Sequence, residues 1–446
     1  MRIIKNHIRI PIDGNECILV HTHLGSQFVL GEKEHQTFCR WKDSSVIKPR
    51  DEQEVDFYNT LCDNKFLLTS AEEDELEAST LLISKENYSL QQNSLFGAAF
   101  ILSYACNFSC PYCFENRIGK SKDLIMTRDM VDSILRLYDN SLNYISLFGG
   151  EPLLPENKEI IEYIISKSPA SIYSVTTNGY FIEEFFPILR TLNVMQIMVT
   201  FDGEKEVHDK TRILRSGGET YSKIMNGVEL LLENNIRVKI RMNISSNNRE
   251  SCMSLKNKFI EKYNKAYEGG NLLFEMQPLF GLHHDTKKNL EMHLYYPEVS
   301  NGTKTSMRDR DNTLSKTLSP LLNVFSSPKK FIPKYNTCNA ETNVRYYDSK
   351  GDIYSCIVSV GSEHAIVGKF YPTVEMKENG FLSRNIESIP ECRVCKMKFL
   401  CGGGCAHAII EEDGNVLKPN CGQIYNEIKL IPELYAKYNR NVKDNL

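Results

Sequence analysis

Ala105-Cys106-Asn107-Phe108-Ser109-Cys110-Pro111-Tyr112-Cys113 spaces three cysteines as C-x3-C-x2-C, directly after the apolar run Ala98–Ser103. An apolar run broken off by a polar, cysteine-bearing loop reads as a buried strand with a site at its carboxyl end. At this cysteine content such a triple arises by chance in roughly 1% of chains. A second set lies in the last quarter: Cys338, Cys356, Cys392, Cys395, Cys401, Cys405 and Cys421. Its C-x2-C-x5-C-x3-C core makes coincidence a poor account. Ten of the fourteen cysteines fall in these two patterns, which read as ligands for several iron–sulfur clusters. Cys17, Cys39, Cys62 and Cys252 fit neither and read as ordinary buried thiols.

The rest of the chain sets the context. Its 446 residues exceed what one hydrophobic core serves, so two or three domains are expected. A net charge of −4 without a long basic run argues against nucleic-acid binding through phosphates. The start, MRIIKNHIRIPIDGNE, lacks the apolar core of a signal peptide. No run approaches the roughly 20 apolar residues of a spanning helix. A cytoplasmic protein without a membrane partner is expected. In that reducing setting, closely spaced cysteines are metal ligands more readily than disulfides.

Outward from the triple, strand-like runs recur at Tyr144–Phe148, Ser171–Thr176, Met195–Phe201, Arg237–Ile244 and Leu272–Pro278. Helical periodicity fills the gaps at Thr127–Leu142, Phe181–Leu192 and Tyr221–Glu233. Such alternation predicts parallel strands with right-handed crossovers. A full eight-unit barrel takes about 250 residues, so a partial (β/α)6 TIM-like barrel over 93–285 is the expectation. Residues 286–335 read as a polar connector. Residues 336–446 read as a cysteine-rich Fe–S domain in which metal replaces a core, closed by a helix near Gln423–Tyr438. Ahead of the barrel, His7–Pro11 and Cys17–His21 alternate around Asp13-Gly14, which is hairpin chemistry. Helices near Glu32–Trp41 and Asp51–Cys62, a short strand at Lys65–Thr69 and an acidic stretch at Glu72–Glu77 follow. This suggests a winged-helix-like unit over 1–92. It lacks the positive charge for DNA, and its exposed strand edge suits an extended peptide. The expected class is thus α/β, with flanking N- and C-terminal units.

Three thiolates leave one iron of a [4Fe–4S] cube open, since four normally complete it. Structural zinc also wants four ligands, and no fourth stands nearby. The triple resembles the signature of the radical S-adenosylmethionine (radical SAM) superfamily. Tyr112 matches the aromatic residue before the third cysteine, which in the family lies against the adenine. Phe148-Gly149-Gly150-Glu151-Pro152 resembles the family's GGE motif, whose glycines let backbone approach the methionine ammonium. Thr177-Asn178-Gly179 and Thr200-Phe201-Asp202-Gly203 end the next strands, and Arg241 and Asn243 sit on the fifth. The resemblance implies cofactor binding by Tyr112, Gly149, Gly150, Glu151, Asn178, Thr200, Arg241 and Asn243. Asp202-Gly203 reads more readily as a turn, and His208 and Asp209 as braces of the loop that also carries Arg212. The implied chemistry is a 5′-deoxyadenosyl radical generated at the cluster of Cys106, Cys110 and Cys113, with no side chain assigned as catalyst.

The C-terminal spacing resembles the seven-cysteine SPASM domain with its two auxiliary [4Fe–4S] clusters, three clusters in all. By that resemblance Cys392, Cys395, Cys401 and Cys421 hold an outer cluster. Cys338, Cys356 and Cys405 hold an inner one, a ligand short. Some relatives have a further cysteine where Ile332 stands here. Either another residue fills the place, Cys252 being a remote candidate, or a substrate thiolate does. Proteins of this kind modify peptides or proteins, and the N-terminal unit resembles a leader-peptide recognition domain. A maturase installing a cysteine thioether, as sactipeptide and ranthipeptide synthases do, is the first expectation. Its partners are a precursor peptide with a leader and an electron donor such as flavodoxin or ferredoxin. Sulfatase-type formylglycine formation is the alternative, although sulfatase maturases have an Asp where Ile357 follows Cys356. Carbon–carbon or ether crosslinking and a non-catalytic Fe–S protein remain further readings.

Overall fold

The computed structural model describes residues 1–12, 15–44, 46–92, 97–113, 115, 124–245, 247–278, 331–337, 340, 344–377, 380–381 and 383–422, with single residues up to 435. The expected turn at Asp13-Gly14, Cys338 and the connector before residue 331 lie outside them.

Alternating apolar residues give β2 (His7–Pro11), and the continuous apolar run of β3 (Cys17–His21), buried on both faces, pairs with it antiparallel with His7 opposite His21. β4 (Gln27–Leu30) completes a three-stranded sheet in the order β2-β3-β4, while β1 (Arg2–Ile3) pairs with β5 (Leu67–Leu68). Gly31 caps α1 (Glu32–Lys42), and the Glu34 carboxylate accepts from its N–H at 3.0 Å. The Asp51 carboxylate caps α2 (Glu52–Asp63) by accepting from Glu54 N at 2.8 Å. The expected acidic stretch is the first turns of a 23-residue helix, α3 (Ser70–Gln92). One face of the sheet packs on these helices through Cys17, Leu19, Phe38, Trp41, Phe57 and Leu61.

Six parallel strands follow in chain order: β6 (Gly97–Ile101), β7 (Tyr144–Phe148), β8 (Ile172–Thr177), β9 (Val194–Phe201), β10 (Val238–Ile244) and β11 (Leu272–Pro278). This is the expected six-unit partial barrel. Helix Tyr221–Glu233 falls where its periodicity places it, whereas the two earlier helices are shorter than their apolar patterns, Arg128–Arg136 and Ile182–Leu189. One strand face buries Ile145, Val175, Val199 and Ile240 against helix residues such as Ile161, Phe185 and Val228. By alternation the other face carries Ser146, Ser174, Thr176, Thr200, Lys239, Arg241, Asn243 and Glu275. A closed barrel of branched apolar residues would be solid; this open, polar interior suits a bound molecule.

The sheet does not stop at the sixth unit. β12 (Val344–Asp348) adds parallel to β6, with Tyr346 opposite Ala99. β13 (Asp352–Tyr354), β14 (Ile366–Lys369) and β15 (Glu375–Met376) extend it antiparallel to ten strands. The Tyr104 hydroxyl donates to buried Asp348 at 2.7 Å, tying the residue before the cysteine loop to this extension. Short helices at Pro390–Arg393, Lys398–Cys401 and Ala406–Asp413 carry the later cysteines. The described residues from Gly422 to Tyr435 are helical, as expected of a closing helix.

The N-terminal and cysteine-rich regions share a core. Ile8, Ile10, Ile12, Ile18 and Val20, on the sheet face away from α1 and α2, pack against Met397, Leu400, Ile424 and Ile431. Cys395 and Cys401 border this cluster. Helix α3 docks on the same region: Lys398 Nζ pairs with Glu77 at 2.5 Å, Lys85 with Glu387 at 2.7 Å, and Asn336 donates to the Tyr88 hydroxyl at 3.2 Å. Among the described residues no helix is long and apolar enough to cross a membrane.

Candidate functional site

The cysteine loop leaves the carboxyl end of β6 and is held from three sides. Behind it stands the Gly149-Gly150 turn that ends β7. Gly149 has φ +133°, and a Cβ there would sit 2.5 Å from Ser103 O. A Cβ on Gly150 would sit 2.2 Å from Ala105 O. The Gly150 and Glu151 N–H groups donate to Ser103 O and Ala105 O at 3.0 and 2.8 Å. The structure thus uses the glycines to bring the turn against the root of the cysteine loop, an approach that side chains would block.

Glu151 is buried with them. Its carboxylate accepts from Thr177 Oγ1 at 2.6 Å, Asn178 N at 2.6 Å and Leu153 N at 2.9 Å. Burial nevertheless raises its pKa, with these donors opposing. It braces the ends of β7 and β8. Asn178 in turn reaches the loop, donating from Nδ2 to Asn107 Oδ1 at 2.7 Å and lying 3.9 Å from Cys106 Sγ.

A strap across the front holds the loop from the third side. Phe108 and Leu214 form an antiparallel bridge, and Ser109 N donates to Ile213 O at 2.8 Å. Arg215 Nε donates to the carbonyls of Cys106 at 2.9 Å and Phe108 at 3.0 Å. Arg212 is buried beneath, stacked 5.5 Å from the Phe108 ring centroid, and donates to the Tyr112 hydroxyl at 3.1 Å. That hydroxyl donates to Asp202 and accepts from Asn243 Nδ2 at 3.4 Å. Arg241 joins through Asn243 Oδ1 at 3.3 Å, and Thr200 is its neighbour across the β9–β10 pair. Burial raises the pKa of Asp202, and the Arg212 guanidinium opposes.

Tyr112, Asn243, Arg241 and Thr200 therefore converge, whereas Glu151, Gly149 and Gly150 serve the loop's foundation. Asp202, Arg212, Arg215 and Asn107 belong to this network although the sequence reading assigned them no ligand role. The Asp-Gly pair disguised Asp202 as a turn residue. For Arg212 and Arg215 the only signal was two arginines in a row otherwise short of function. His208 is fully buried between Phe201 and Tyr221, and Asp209 accepts from Thr220 N and Tyr221 N at 2.9 Å each, capping the next helix.

The thiols suit metal ligation. Phe108 N lies 3.3 Å from Cys106 Sγ, a donor placed for a thiolate. Burial, then nearby Glu151, Cys110 and Cys113, push the Cys106 thiol up to about 12, so a bound cation is what would keep it ionised. Ser103 Oγ, Asn107 Nδ2 and Asp202 Oδ1 are buried without a hydrogen-bond partner among the described residues, polar atoms that a nucleotide could meet. No three His, Cys, Asp or Glu side chains among the described residues stand close enough to hold one single ion. Thiolates on a cube each take a different iron and need not converge.

The later cysteines separate into two groups. Burial and then Cys401, Cys395 and Cys421 push Cys392 up to about 12, and Cys401 is pushed to about 11 with Cys421 and Cys395 among the causes. Met397 N lies 3.4 Å from Cys395 Sγ, repeating the donor arrangement at Cys106. Cys356 instead has Cys405 as its thiol neighbour. The run Gly402-Gly403-Gly404 makes this layout possible, with φ of +67°, +89° and +74°. A Cβ on Gly402 would meet Thr337 N at 2.7 Å and one on Gly404 would meet Asn420 O at 2.1 Å. The run brings the neighbours of Cys338 and Cys421 against the stretch that carries Cys401 and Cys405. Buried Arg384 locks it, donating to Gly403 O and Lys418 O at 2.6 Å each. Cys252 is fully buried in helix Arg249–Lys262.

The model of the radical SAM superfamily matches residues 100–251. A cysteine-type anaerobic sulfatase-maturating enzyme of Clostridium perfringens is 25% identical over 345 residues, covering 71% of this chain and 90% of its own length. The radical SAM cyclopropyl synthase TigE of Paramaledivibacter caminithermalis is 23% identical over 347 residues, covering 71% of this chain and 69% of its own. Among solved structures, Streptococcus suis SuiB bound to its precursor peptide SuiA superposes with a TM-score of 0.50 at 15% identity, over 95% of this chain and 99% of that one. The matched span holds the cysteine triple, the glycine turn and the polar strand ends alike: this chain carries a radical SAM domain, the kind that works with S-adenosylmethionine and a [4Fe–4S] cluster.

Proposed function

We propose that this chain matures a ribosomally made precursor peptide, removing a hydrogen atom from it and installing a crosslink, first of all a cysteine thioether. The observation that carries this reading is the N-terminal unit. A three-stranded sheet with three helices stands ahead of the barrel and is packed onto the cysteine-rich region. SuiB, solved with a precursor peptide, shares the fold over 95% of this chain, while the solved anSMEcpe shares it over 77%. In this reading residues 1–92 hold the leader, with β4 as one edge of the three-stranded sheet.

When bound, S-adenosylmethionine and its cluster supply a carbon radical strong enough to open an unactivated C–H bond. Cys106, Cys110 and Cys113 would hold that cluster. Tyr112, Asn243, Arg241, Thr200 and Asn178 line the cofactor's place, and Glu151 with the glycine turn fixes the loop. After the hydrogen atom is removed, joining a peptide sulfur to the opened carbon would release the thiol proton to solvent and one electron, for which an auxiliary cluster would supply the place. Cys392, Cys395, Cys401 and Cys421 would hold the outer auxiliary cluster, and Cys338, Cys356 and Cys405 the inner. Ile357, apolar and 37% exposed beside Cys356, offers no carboxylate base. A sulfur bound to an iron needs none, since metal binding itself releases the thiol proton.

The test is mass spectrometry of a cysteine-containing precursor peptide, encoded beside this chain, after incubation with reduced, reconstituted protein. A product that keeps its sulfur, loses two hydrogens and resists thiol alkylation is expected. Loss of the sulfur with gain of an aldehyde would replace this reading by sulfatase-type chemistry. A crosslink formed with all thiols free would favour carbon–carbon or ether bonds, the kind of outcome that the TigE relative brings to mind.

A further inference from the structure

Arg384 is 1% exposed and sits where the outer cysteine stretches meet. Its Nη2 donates to Gly403 O at 2.6 Å and Gly404 O at 3.3 Å, in the run between Cys401 and Cys405. Nη1 donates to Val416 O, and to Lys418 O at 2.6 Å, on the approach to Cys421. Gly403 O also accepts from Asn420 N at 2.9 Å, next to Cys421. Ile389 closes the other side: a Cβ on Gly403 would lie 3.6 Å from Arg384 Nη2 and 2.9 Å from Ile389 Cδ1. Ile389 packs with Cys392, whose N–H donates to Ile389 O at 3.0 Å. Burial, first of all, raises the pKa values of Cys392, Cys401 and Cys421; of the cations and carboxylates, Arg384 opposes this at Cys392 and Lys334 at Cys401, while Glu391 adds to it at Cys421. Lys334 is half-buried and Glu391 exposed, so water screens both, whereas Arg384 acts from the interior.

Carbonyl oxygens can be met by neutral donors at a smaller cost of desolvation than a buried guanidinium incurs. A permanent cation is of use where its neighbour is anionic, and a thiolate-ligated cube is anionic and becomes more so on reduction. We propose that Arg384 is a positioning residue and the fixed counter-charge of the outer thiol group, holding the ligand stretches together and raising the group's reduction potential. The inference rests on the reading that Cys392, Cys395, Cys401 and Cys421 hold a cluster. On reduction one electron enters that group from an external reductant, and no bond or proton changes place.

The test is a redox titration of anaerobically reconstituted holoprotein with dithionite, followed by EPR, with iron content and Mössbauer spectra recorded on the same samples. The outer signal is the one that Cys421→Ala removes. Arg384→Gln keeps a neutral donor for the carbonyls, and Arg384→Lys keeps the charge without the fork. Arg384→Gln is expected to lower the outer midpoint potential by about 59 mV or more, about a tenfold change in the one-electron reduction equilibrium. Arg384→Lys is expected to stay near the parent, and Lys334→Gln, at its screened site, to shift less than Arg384→Gln. Loss of the outer iron from Arg384→Gln but not from Arg384→Lys would also uphold the counter-charge. Equal potentials of parent and Arg384→Gln, equal shifts of the two Arg384 variants, or loss of the outer iron from Arg384→Lys overturn the proposal and leave Arg384 a bracket. A parent without the signal that Cys421→Ala removes overturns the cluster reading beneath it.

Discussion

Replacing Gly150 by Ala tests how the cysteine loop is positioned. The new Cβ would lie 2.2 Å from Ala105 O and 2.7 Å from Ala105 C and Tyr104 O, where 3.4 Å is ordinary contact. All three neighbours are backbone, so no side chain can swing away. The loop root must retreat by about 1 Å, and the first residue to follow Ala105 is Cys106. Overpacking of this kind costs about 1–3 kcal/mol of stability. A displacement of about 1 Å at reacting groups costs on the order of 100-fold in rate. The assay is S-adenosylmethionine cleavage to 5′-deoxyadenosine by anaerobically reconstituted protein, with circular dichroism and a thermal melt as controls for folding. The variant is expected to fold with a lowered Tm and to cleave about 100-fold more slowly. Gly269→Ala, where the Cβ meets nothing within 4 Å, is expected to be silent. A Gly150→Ala protein that cleaves at the parent rate would refute the claim that this turn sets the loop.

Ile10→Ala, at a side chain 2% exposed between the sheet and the cysteine-rich region, is expected to cost about 2–5 kcal/mol. For the same reason deletion of residues 1–92 is expected to lower auxiliary iron as well as peptide modification; full iron in the truncated protein would contradict the shared core. His7, His21 and His23 are buried, and desolvation first of all lowers their pKa values to about 4, 3 and 4. The folded state then stays neutral where the unfolded chain takes up protons. Stability is intact above pH 6.5 and falls as pH drops from there towards 4, by about 2 kcal/mol per histidine at pH 5. Urea midpoints across that range would show it, and the triple His→Gln variant is expected to lose most of the slope.

The barrel was legible because its strands are short apolar runs and its helices alternate with them. The hairpin was legible because β2 alternates; β3, expected to alternate too, is instead an unbroken apolar run buried on both faces, since the cysteine-rich region covers its second side. Helix α3 was not, because most of its buried face is polar: Glu73, Thr80 and Ser84 precede Tyr88 on one helical stripe while Leu82, Ile83 and Leu90 are exposed. Glu73 explains part of that inversion, accepting from Arg2 Nη2 at 2.7 Å and Lys5 N at 2.6 Å. β12 escaped because Val344-Arg345-Tyr346-Tyr347-Asp348 offers no apolar run, and its place beside β6 depends on a pairing more than two hundred residues away in sequence. In the site, cysteine spacing and the glycine turn stood out because few residue types can do their work. The strap of Arg212 and Arg215 did not, since its role comes from carbonyls that only the folded loop presents.

The central claim is that a cluster held by Cys106, Cys110 and Cys113 splits S-adenosylmethionine. Its most direct measurement compares parent and Cys106→Ala/Cys110→Ala/Cys113→Ala protein, reconstituted and reduced under anaerobic conditions, for 5′-deoxyadenosine and bound iron together. The account predicts 5′-deoxyadenosine from the parent, none from the variant, and a loss of about four irons, one cube's worth. An iron-loaded, folded parent that yields none with any reductant, or a variant that keeps all its iron, would contradict it.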